Sequence, residues 1–413
     1  MKRLGMVVAG DPRSITNTQR NDHCDQPQRY SNDSDEAQQG YSRLKARPRT
    51  YNTAMNVSVL QPVFDESGVL PFAQACGAGV VLDEYGLQLI PREAQASSQS
   101  IFEAGAVAPV SELGLLRCEG DDALTFLQGQ LTNDVLSLAP GQSQLNGYCS
   151  AKGRLLASMR VWRDEKGVML LTSRALAPPL AKRLGMFVLR ARAKFSLQAD
   201  SWACFGLAGS RAAAPVGALG GAWPGPRAVL EFASCRILGI EPAVVRDKEI
   251  ARALLLCPID QAATVWKQLS SVLTPISSID WRWGDVMSGI AQITPAGVER
   301  FVPQMVNFDL VGGVSFKKGC YPGQEVVARS HYLGKLKRRT FLAELDGEPP
   351  RAGEDVFDKD SQEPCGQIVS AARSGDGSSV VLIESQIAQA GQAALADGRT
   401  LNSLPLPYDV PAG

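Results

Sequence analysis

Val314-Ser315-Phe316-Lys317-Lys318-Gly319-Cys320-Tyr321-Pro322-Gly323-Gln324-Glu325-Val326-Val327-Ala328-Arg329 is the run on which the reading of this chain turns. Two glycines bracket a cysteine, with Tyr-Pro between them. Glycine tolerates backbone angles closed to other residues, and Pro322 fixes its own φ and removes a donor. The run therefore predicts a sharp loop that presents Cys320. Gln324-Glu325 then open a predicted helix, whose N-terminus favours negative charge. Lys317, Lys318 and that helix start make a cationic setting, which favours a nucleophilic thiolate over a thiol. On the residues alone, a structural cysteine in a tight turn stays open as the alternative.

Working outward, the chain downstream changes character. Residues 340–345, 366–372 and 379–384 read as short strands separated by Gly, Pro and Asp turns, the pattern of a small antiparallel barrel or sandwich. Upstream, residues 113–118 read as a strand. Gly120-Asp121-Asp122 then turn into a predicted helix with Leu124, Leu127, Leu131 and Val135 on one face. Residues 155–162 and 167–172 read as paired strands, followed by a helix over 175–188 that Pro178-Pro179 interrupt early. Residues 202–208, 228–238 and 251–257 are strand-like. The stretch 209–226, rich in Gly, Ala and Pro, reads as a loop. Its Gly-Ala-Leu-Gly-Gly run is followed by no Gly-Lys-Ser/Thr and is no phosphate loop. Asp260 is the expected N-cap of a helix carrying Val265, Leu269 and Val272. The sum is an α+β chain rich in antiparallel sheet.

Composition narrows the function classes. The hydrophobic share of 45% and charged share of 20% are those of a soluble globular protein. Forty-two basic side chains balance 42 acidic ones, so the chain as a whole has no bias toward nucleic acid. The local balance differs, since Lys317, Lys318, Arg329, Lys335, Lys337, Arg338 and Arg339 face only Glu325 between residues 311 and 340. No apolar run approaches the roughly 18 residues of a spanning helix. The apolar stretch after Lys2 and Arg3 is short for a signal peptide and has no cleavage pattern. A cytoplasmic location without membrane attachment is expected. The nine cysteines form no C-x-x-C pair and the histidines are His23 and His331, so no metal site is expected. Most of these cysteines lie in apolar stretches and read as core residues.

With these residues on the page, a resemblance enters. K-G-C-Y-x-G-Q-E is the signature of the YgfZ family, and residues 318–325 match it at every fixed position. The resemblance runs over residues 113–408. The block Phe126-Leu127-Gln128-Gly129-Gln130-Leu131-Thr132-Asn133-Asp134-Val135 resembles the family's first helix block. Ala151-Lys152-Gly153-Arg154 resembles its A-K-G-K/R turn, and Phe301-Val302-Pro303-Gln304 with Asn307 its approach to the cysteine loop. Pro405-Leu406-Pro407-Tyr408 resembles its ending. The family is similar in fold to the T-protein of the glycine cleavage system, a tetrahydrofolate-dependent aminomethyltransferase.

The resemblance implies a three-domain folate-binding fold with a C-terminal β-barrel. It also implies a tetrahydrofolate cofactor and an accessory role in iron–sulfur cluster assembly or repair and in tRNA modification by methylthiolation. Its implied partners are iron–sulfur enzymes, radical tRNA methylthiotransferases among them, and tRNA itself. Cys320 becomes the reactive thiol, with Lys318, Gly319, Tyr321, Gly323, Gln324, Glu325 and Arg329 as its loop. Trp281, Gln304, Asn307 and Lys152 become the folate-binding residues. Two positions depart from the pattern: Leu113 stands where a first folate-lining tryptophan is frequent, and Ser150 where a carboxylate is common.

The domain division expected is a disordered extension over 1–54, with Met55 as an alternative first residue, and a partly ordered lead-in over 55–105. A first domain over 106–200 is completed by a return segment, 276–335, that carries the Cys320 loop. A second α+β domain covers 201–275, and the C-terminal barrel covers 336–413. Two other functions compete with this accessory role. An aminomethyltransferase needs an aspartate shortly after the Gly-Gly turn of the second block, where this chain has Leu156, and lacks the Gly-Cys-Tyr loop. A non-catalytic RNA-binding or scaffold protein would use the basic residues around 317–339 against phosphates, but no aromatic-interleaved RNA platform is legible. An accessory factor is therefore favoured over a classical enzyme.

Overall fold

The computed structural model describes Leu60 and residues 68–96, 98–198, 200–332, 336–360 and 363–411. The expectations for residues 1–54, and those resting on His23, Cys24 and Lys335, lie outside the described residues. The protein is a mixed α/β chain dominated by antiparallel sheet.

A five-stranded sheet runs in the order Ser143–Cys149, Leu155–Asp164, Gly167–Ser173, Leu113–Glu119, Lys194–Leu197. The strand Leu155–Asp164 is buried through its first eight residues, so it reads as a continuous apolar run rather than an alternating one. The tight turn after it is fixed by Asp164, whose carboxylate accepts from Lys166 N at 2.9 Å. A six-stranded sheet has the order Val229–Phe232, Cys235–Val245, Lys248–Pro258, Trp202–Ala208, Ala106–Pro109, Thr274–Pro275, with the last pair parallel. A second six-stranded sheet, at the C-terminus, runs Ala393–Leu395, Asp355–Asp358, Pro364–Arg373, Ser378–Gln386, Arg338–Asp346, Asn402–Leu404 and curls into a half-barrel. Its edge strands are three residues each, which limits the unpaired edge it offers.

Ahead of these sheets, the helix Val69–Ala75, the hairpin Ala78–Asp83 with Gly86–Pro91, and the helix Gln99–Ala104 form the first described elements. The hairpin is tied to the helix Ser278–Met287, where Arg282 bridges Asp83 at 3.1 Å and Glu112 at 3.0 Å. Among the described residues no helix is long and apolar enough to cross a membrane.

Several local expectations change. The stretch 209–226 holds a helix, Ala213–Ala218, and Pro178-Pro179 stand in the first turn of the helix Ala177–Phe187 rather than interrupting it. The helix bearing Leu124 and Leu127 is only Ala123–Gln128. Leu131 and Val135 are fully buried beyond its end, so their helical spacing reflects core contact without helix. The expected strand 228–238 is a hairpin whose bend falls at Ala233, a non-glycine residue at φ 49, with no Gly, Pro or Asn to signal it. Asp260 lies inside a 3-10 turn, Ile259–Gln261, and the helix Ala262–Ser270 that follows has no side-chain cap. Val265 and Leu269 are buried on it, while Val272 lies beyond its end and is exposed.

Candidate functional site

Two features stand out, a central cavity and the cysteine loop. The helix Ser278–Met287 is started by Ser277, whose Oγ accepts from Asp280 N at 3.0 Å and donates to the Asp280 carboxylate at 2.6 Å. This helix delivers Trp281, which is 1% exposed. Its indole fits because Gly206 has no side chain, and a Cβ there would stand 2.6 Å from the ring. Phe102 stacks on Trp281 at 5.9 Å between centroids, and the Arg252 guanidinium lies 4.6 Å from its ring centre.

Trp281, Phe308, Leu113, Leu254 and Ile240 line a cavity of about 100 Å3, bounded by strands of the five-stranded and the first six-stranded sheet. Two ion pairs cross its wall, Arg160 with Glu241 and Arg252 with Asp285. Burial pushes the Glu241 carboxyl up, but Arg160, a backbone hydrogen bond and Arg227 together outweigh this and hold it below the ordinary carboxylate value. Glu241 Oε1 and Arg252 Nε are buried without a hydrogen-bond partner.

The cysteine loop is built from sequence blocks far apart in the chain. Gly323 has φ +77, and a Cβ on it would stand 2.4 Å from Ser150 O and 2.5 Å from the Gly153 backbone. Gly153, at φ +70, has the same constraint in return, from Val326 and Gly323 O. The Ala151–Arg154 turn and the cysteine loop thus dock through two glycines. From the other side, the turn after Gln128 grips the loop. Thr132 Oγ1 donates to Gly313 O at 2.7 Å, and Asn133 Nδ2 donates to Gly312 O at 2.7 Å. Ser315 N donates to Thr132 O at 3.0 Å. The Lys318 ammonium donates to the carbonyls of Gln128, Leu131 and Asn133 and lies 5.2 Å from the Tyr321 ring centre. Burial pushes that ammonium down to about 8, against the pull of Asp134. From below, Gln304 Nε2 donates to Val327 O at 2.7 Å and anchors the helix Gln324–Tyr332.

Cys320 is exposed, while Cys76, Cys118, Cys149, Cys204, Cys235, Cys257 and Cys365 are buried. Burial pushes the Cys118, Cys149 and Cys204 thiols up to about 12 and raises those of Cys76, Cys235, Cys257 and Cys365. Tyr321 is buried and Gly319 exposed, with nothing within 4 Å of the position a Cβ would take. Gln324 is half-buried, and Glu325 and Arg329 are exposed along the helix. Among the described residues, no group of three His, Cys, Asp or Glu side chains is placed to hold a metal ion.

The residues grouped by sequence as folate-binding divide in space. Trp281 lines the cavity, but Gln304 and Asn307 do not. Asn307, fully buried at φ 59, donates to Thr340 O at 2.8 Å and to Tyr408 Oη at 3.3 Å, and so ties the approach segment to the half-barrel. Lys152 is exposed in the turn beside the cysteine loop. The basic run also thins out: Lys318 is caged, Arg338 pairs with Glu384, and Arg339 pairs with Asp309 at 2.6 Å. Lys317, Arg329 and Lys337 remain exposed. Sequence reasoning missed Glu241, Arg160, Arg252 and Phe308 as cavity residues. The charged residues inside otherwise apolar strands, Arg160 and Arg252, were the available signal.

No protein-family model matches the sequence. Among solved structures, the glycine cleavage system aminomethyltransferase T from Bartonella henselae superposes with a TM-score of 0.66 at 17% identity, over 83% of this chain and 97% of that one. The fold is therefore that of the glycine cleavage T-protein. Within that fold, the chain is 36% identical over 267 residues to the tRNA-modifying protein YgfZ of Edwardsiella ictaluri, covering 63% of this chain and 78% of the relative. It is 30% identical to the protein of the same name from Klebsiella pneumoniae, over 66% of this chain and 83% of that relative. The Escherichia coli O139:H28 protein is 28% identical over 78% of this chain and 97% of its own length. The chain belongs to the YgfZ family.

Proposed function

We propose that this protein binds a tetrahydrofolate derivative in the central cavity and acts through Cys320 as an accessory factor in iron–sulfur cluster assembly or repair. Its clients are iron–sulfur enzymes, including radical tRNA methylthiotransferases, and the process it serves is tRNA modification. The observation that carries the reading is the presentation of Cys320. It is the exposed cysteine among eight described, on a loop that the blocks around Thr132, Gly153 and Gln304 hold from three sides.

The cavity lining has the chemistry that a reduced pterin would use. Such a ring needs flat apolar contact and an acceptor for its amino edge. Trp281, Phe308 and Leu113 supply the walls, and Glu241 Oε1 is a buried acceptor with no hydrogen bond. Leu113 gives an aliphatic wall where an aromatic one would add stacking. A bound folate would supply a one-carbon carrier. Leu156, fully buried, offers no carboxylate for aminomethyl transfer, and the thinning of the basic run leaves few free cations for RNA.

The test has two arms. Tryptophan fluorescence should titrate saturably with tetrahydrofolate, and Trp281→Leu should weaken the binding. In a deletion strain, the wild-type chain should restore methylthiolated tRNA nucleosides and Cys320→Ala should not. Absence of a saturable signal at high micromolar ligand overturns the folate assignment. Full restoration by Cys320→Ala overturns the role of the thiol.

A further inference from the structure

Lys318 neighbours Cys320 in sequence, yet its charge is spent elsewhere. An ammonium has three N–H donors. Here they reach the carbonyls of Gln128, Leu131 and Asn133, some 190 residues earlier in the chain. Lys318 is 8% exposed, with Tyr321 closing the cage from within the loop. These carbonyls are free to accept because the helix Ala123–Gln128 stops there, and Gln128 holds the turn that follows. Its Oε1 accepts from Val135 N at 2.8 Å and its Nε2 donates to Asp134 at 3.0 Å.

The same turn touches the cavity. Asn133 Nδ2, which bonds Gly312 O, also donates to Leu145 O at 2.9 Å, and Leu145 lines the cavity. Phe308, on the opposite chain segment, lines the cavity and fills the space over Gly313, where a Cβ would meet its ring at 2.4 Å.

We propose that Lys318 is a positioning residue: by engaging three backbone carbonyls it locks the cysteine loop onto the 128–134 turn, and so sets where Cys320 stands relative to the cavity wall. Its effect on the thiol is mechanical. The role of Cys320 in this statement rests on the proposed function, but the lock itself does not. A guanidinium, planar and forked, does not fit three converging carbonyls as an ammonium does, so charge alone does not substitute.

The test compares Lys318→Met, Lys318→Arg and, as a surface control, Lys317→Met in the full chain. Two quantities are read: amide hydrogen exchange over 128–134 and 312–323, and the pH profile of Cys320 alkylation. A lock predicts that Lys318→Met and Lys318→Arg each speed exchange in both segments at least tenfold, with the shape of the alkylation pH profile unchanged and Lys317→Met without effect. A Lys318→Met profile displaced to higher pH, with exchange unchanged, makes Lys318 an electrostatic activator and overturns the proposal. Unchanged exchange in Lys318→Arg overturns it as well, and that variant decides the question should Lys318→Met fail to fold. Neither readout involves folate or a client enzyme, so failure here is distinct from failure of the functional reading.

Discussion

Gly153 and Gly323 lie back to back: a Cβ on Gly323 would stand 2.5 Å from both Cα and N of Gly153, and a Cβ on Gly153 would stand 3.0 Å from Gly323 O. Both take positive φ, +70 and +77, where other residues are strained. Two motifs that look independent in sequence are therefore one structural unit, and the absence of two side chains is what lets the turn at 150–154 support the cysteine loop.

Glycine is required at 323 and not at 319. Gly323→Ala combines a forbidden φ with a backbone clash, and should cost more than about 1 kcal/mol. It should also open the loop to proteases. Gly319→Ala meets nothing within 4 Å, so its thermal midpoint should match wild type. Thermal unfolding and limited proteolysis of the two variants check this. Equal midpoints for Gly323→Ala and wild type would show that the docking is not tight.

Acid should loosen two arginine-held carboxylates, Glu241 in the cavity wall and Asp164 in the turn that follows its strand. Glu241 and Asp164 are both held below their ordinary values of 4.5 and 3.8. In each, burial is the largest single influence and acts upward, and the arginine partners together with a backbone hydrogen bond outweigh it. A depressed carboxyl stabilises the fold fully above its unfolded value and loses that contribution as pH falls through the folded one. Stability should thus be flat in this respect above pH 5 and fall below about pH 4. Glu241→Gln leaves Arg160 without its charge partner and should cost on the order of 3 kcal/mol at neutral pH, while flattening the acid slope. Denaturant titrations from pH 3 to 7 measure both effects.

The buried amides should matter to the fold more than to the ligand. Gln304 and Asn307 lie outside the cavity lining, and each spends its side-chain nitrogen on backbone, at Val327 O and Thr340 O. Asn307→Ala also forces alanine into a left-handed conformation. Each substitution to alanine should destabilise by about 1–3 kcal/mol, with tetrahydrofolate affinity within twofold of wild type. Trp281→Leu should lower both stability and affinity, because the indole is a buried core ring as well as part of the cavity lining. Parallel fluorescence titrations and melts separate the two classes, and a tenfold affinity loss in Gln304→Ala would return that residue to the binding site.

Much of this was legible in the sequence for identifiable reasons. The half-barrel strands were visible because Gly, Pro and Asp turns punctuate them, and the pair Leu155–Asp164 and Gly167–Ser173 because both are apolar runs about a short polar turn. The block 126–135 misled because Leu127, Leu131 and Val135 are buried whether or not a helix continues. Nothing local announces that Lys318 takes the Leu131 carbonyl, or that Thr132 Oγ1 accepts from Gly147 N. The hairpin at Ala233 was invisible because its bend uses a residue that rarely takes positive φ. Of the candidate sites, the cysteine loop could be found because its glycines and cysteine are unusual as a string. The cavity could not, since Glu241, Arg252 and Phe308 meet only when two sheets and a helix pack.

Cys320 should be the thiol that reacts first in the native protein. Cys118, Cys149 and Cys204 combine burial with thiols pushed up to about 12, so little thiolate exists and little reagent reaches it. Cys320 is exposed, beside Gly319, which leaves open space on its N-terminal side. At pH 7.5 and in the absence of denaturant, mass-spectrometric alkylation should label Cys320 at least tenfold faster than these three, and denaturant should erase the difference. Cys320→Ser should keep the wild-type melting temperature, because an exposed sulfur contributes little packing, yet lose restoration of methylthiolated tRNA nucleosides, because a hydroxyl is a far weaker nucleophile. The two readouts divide the outcomes. Fast labelling with full restoration by Cys320→Ser would leave an accessible thiol without a task, and the loop would then serve as a contact surface. Labelling no faster than Cys204 would mean that the loop closes over the sulfur in solution. Only fast labelling together with loss of restoration at an unchanged melting temperature ties the accessible sulfur to the function of the protein.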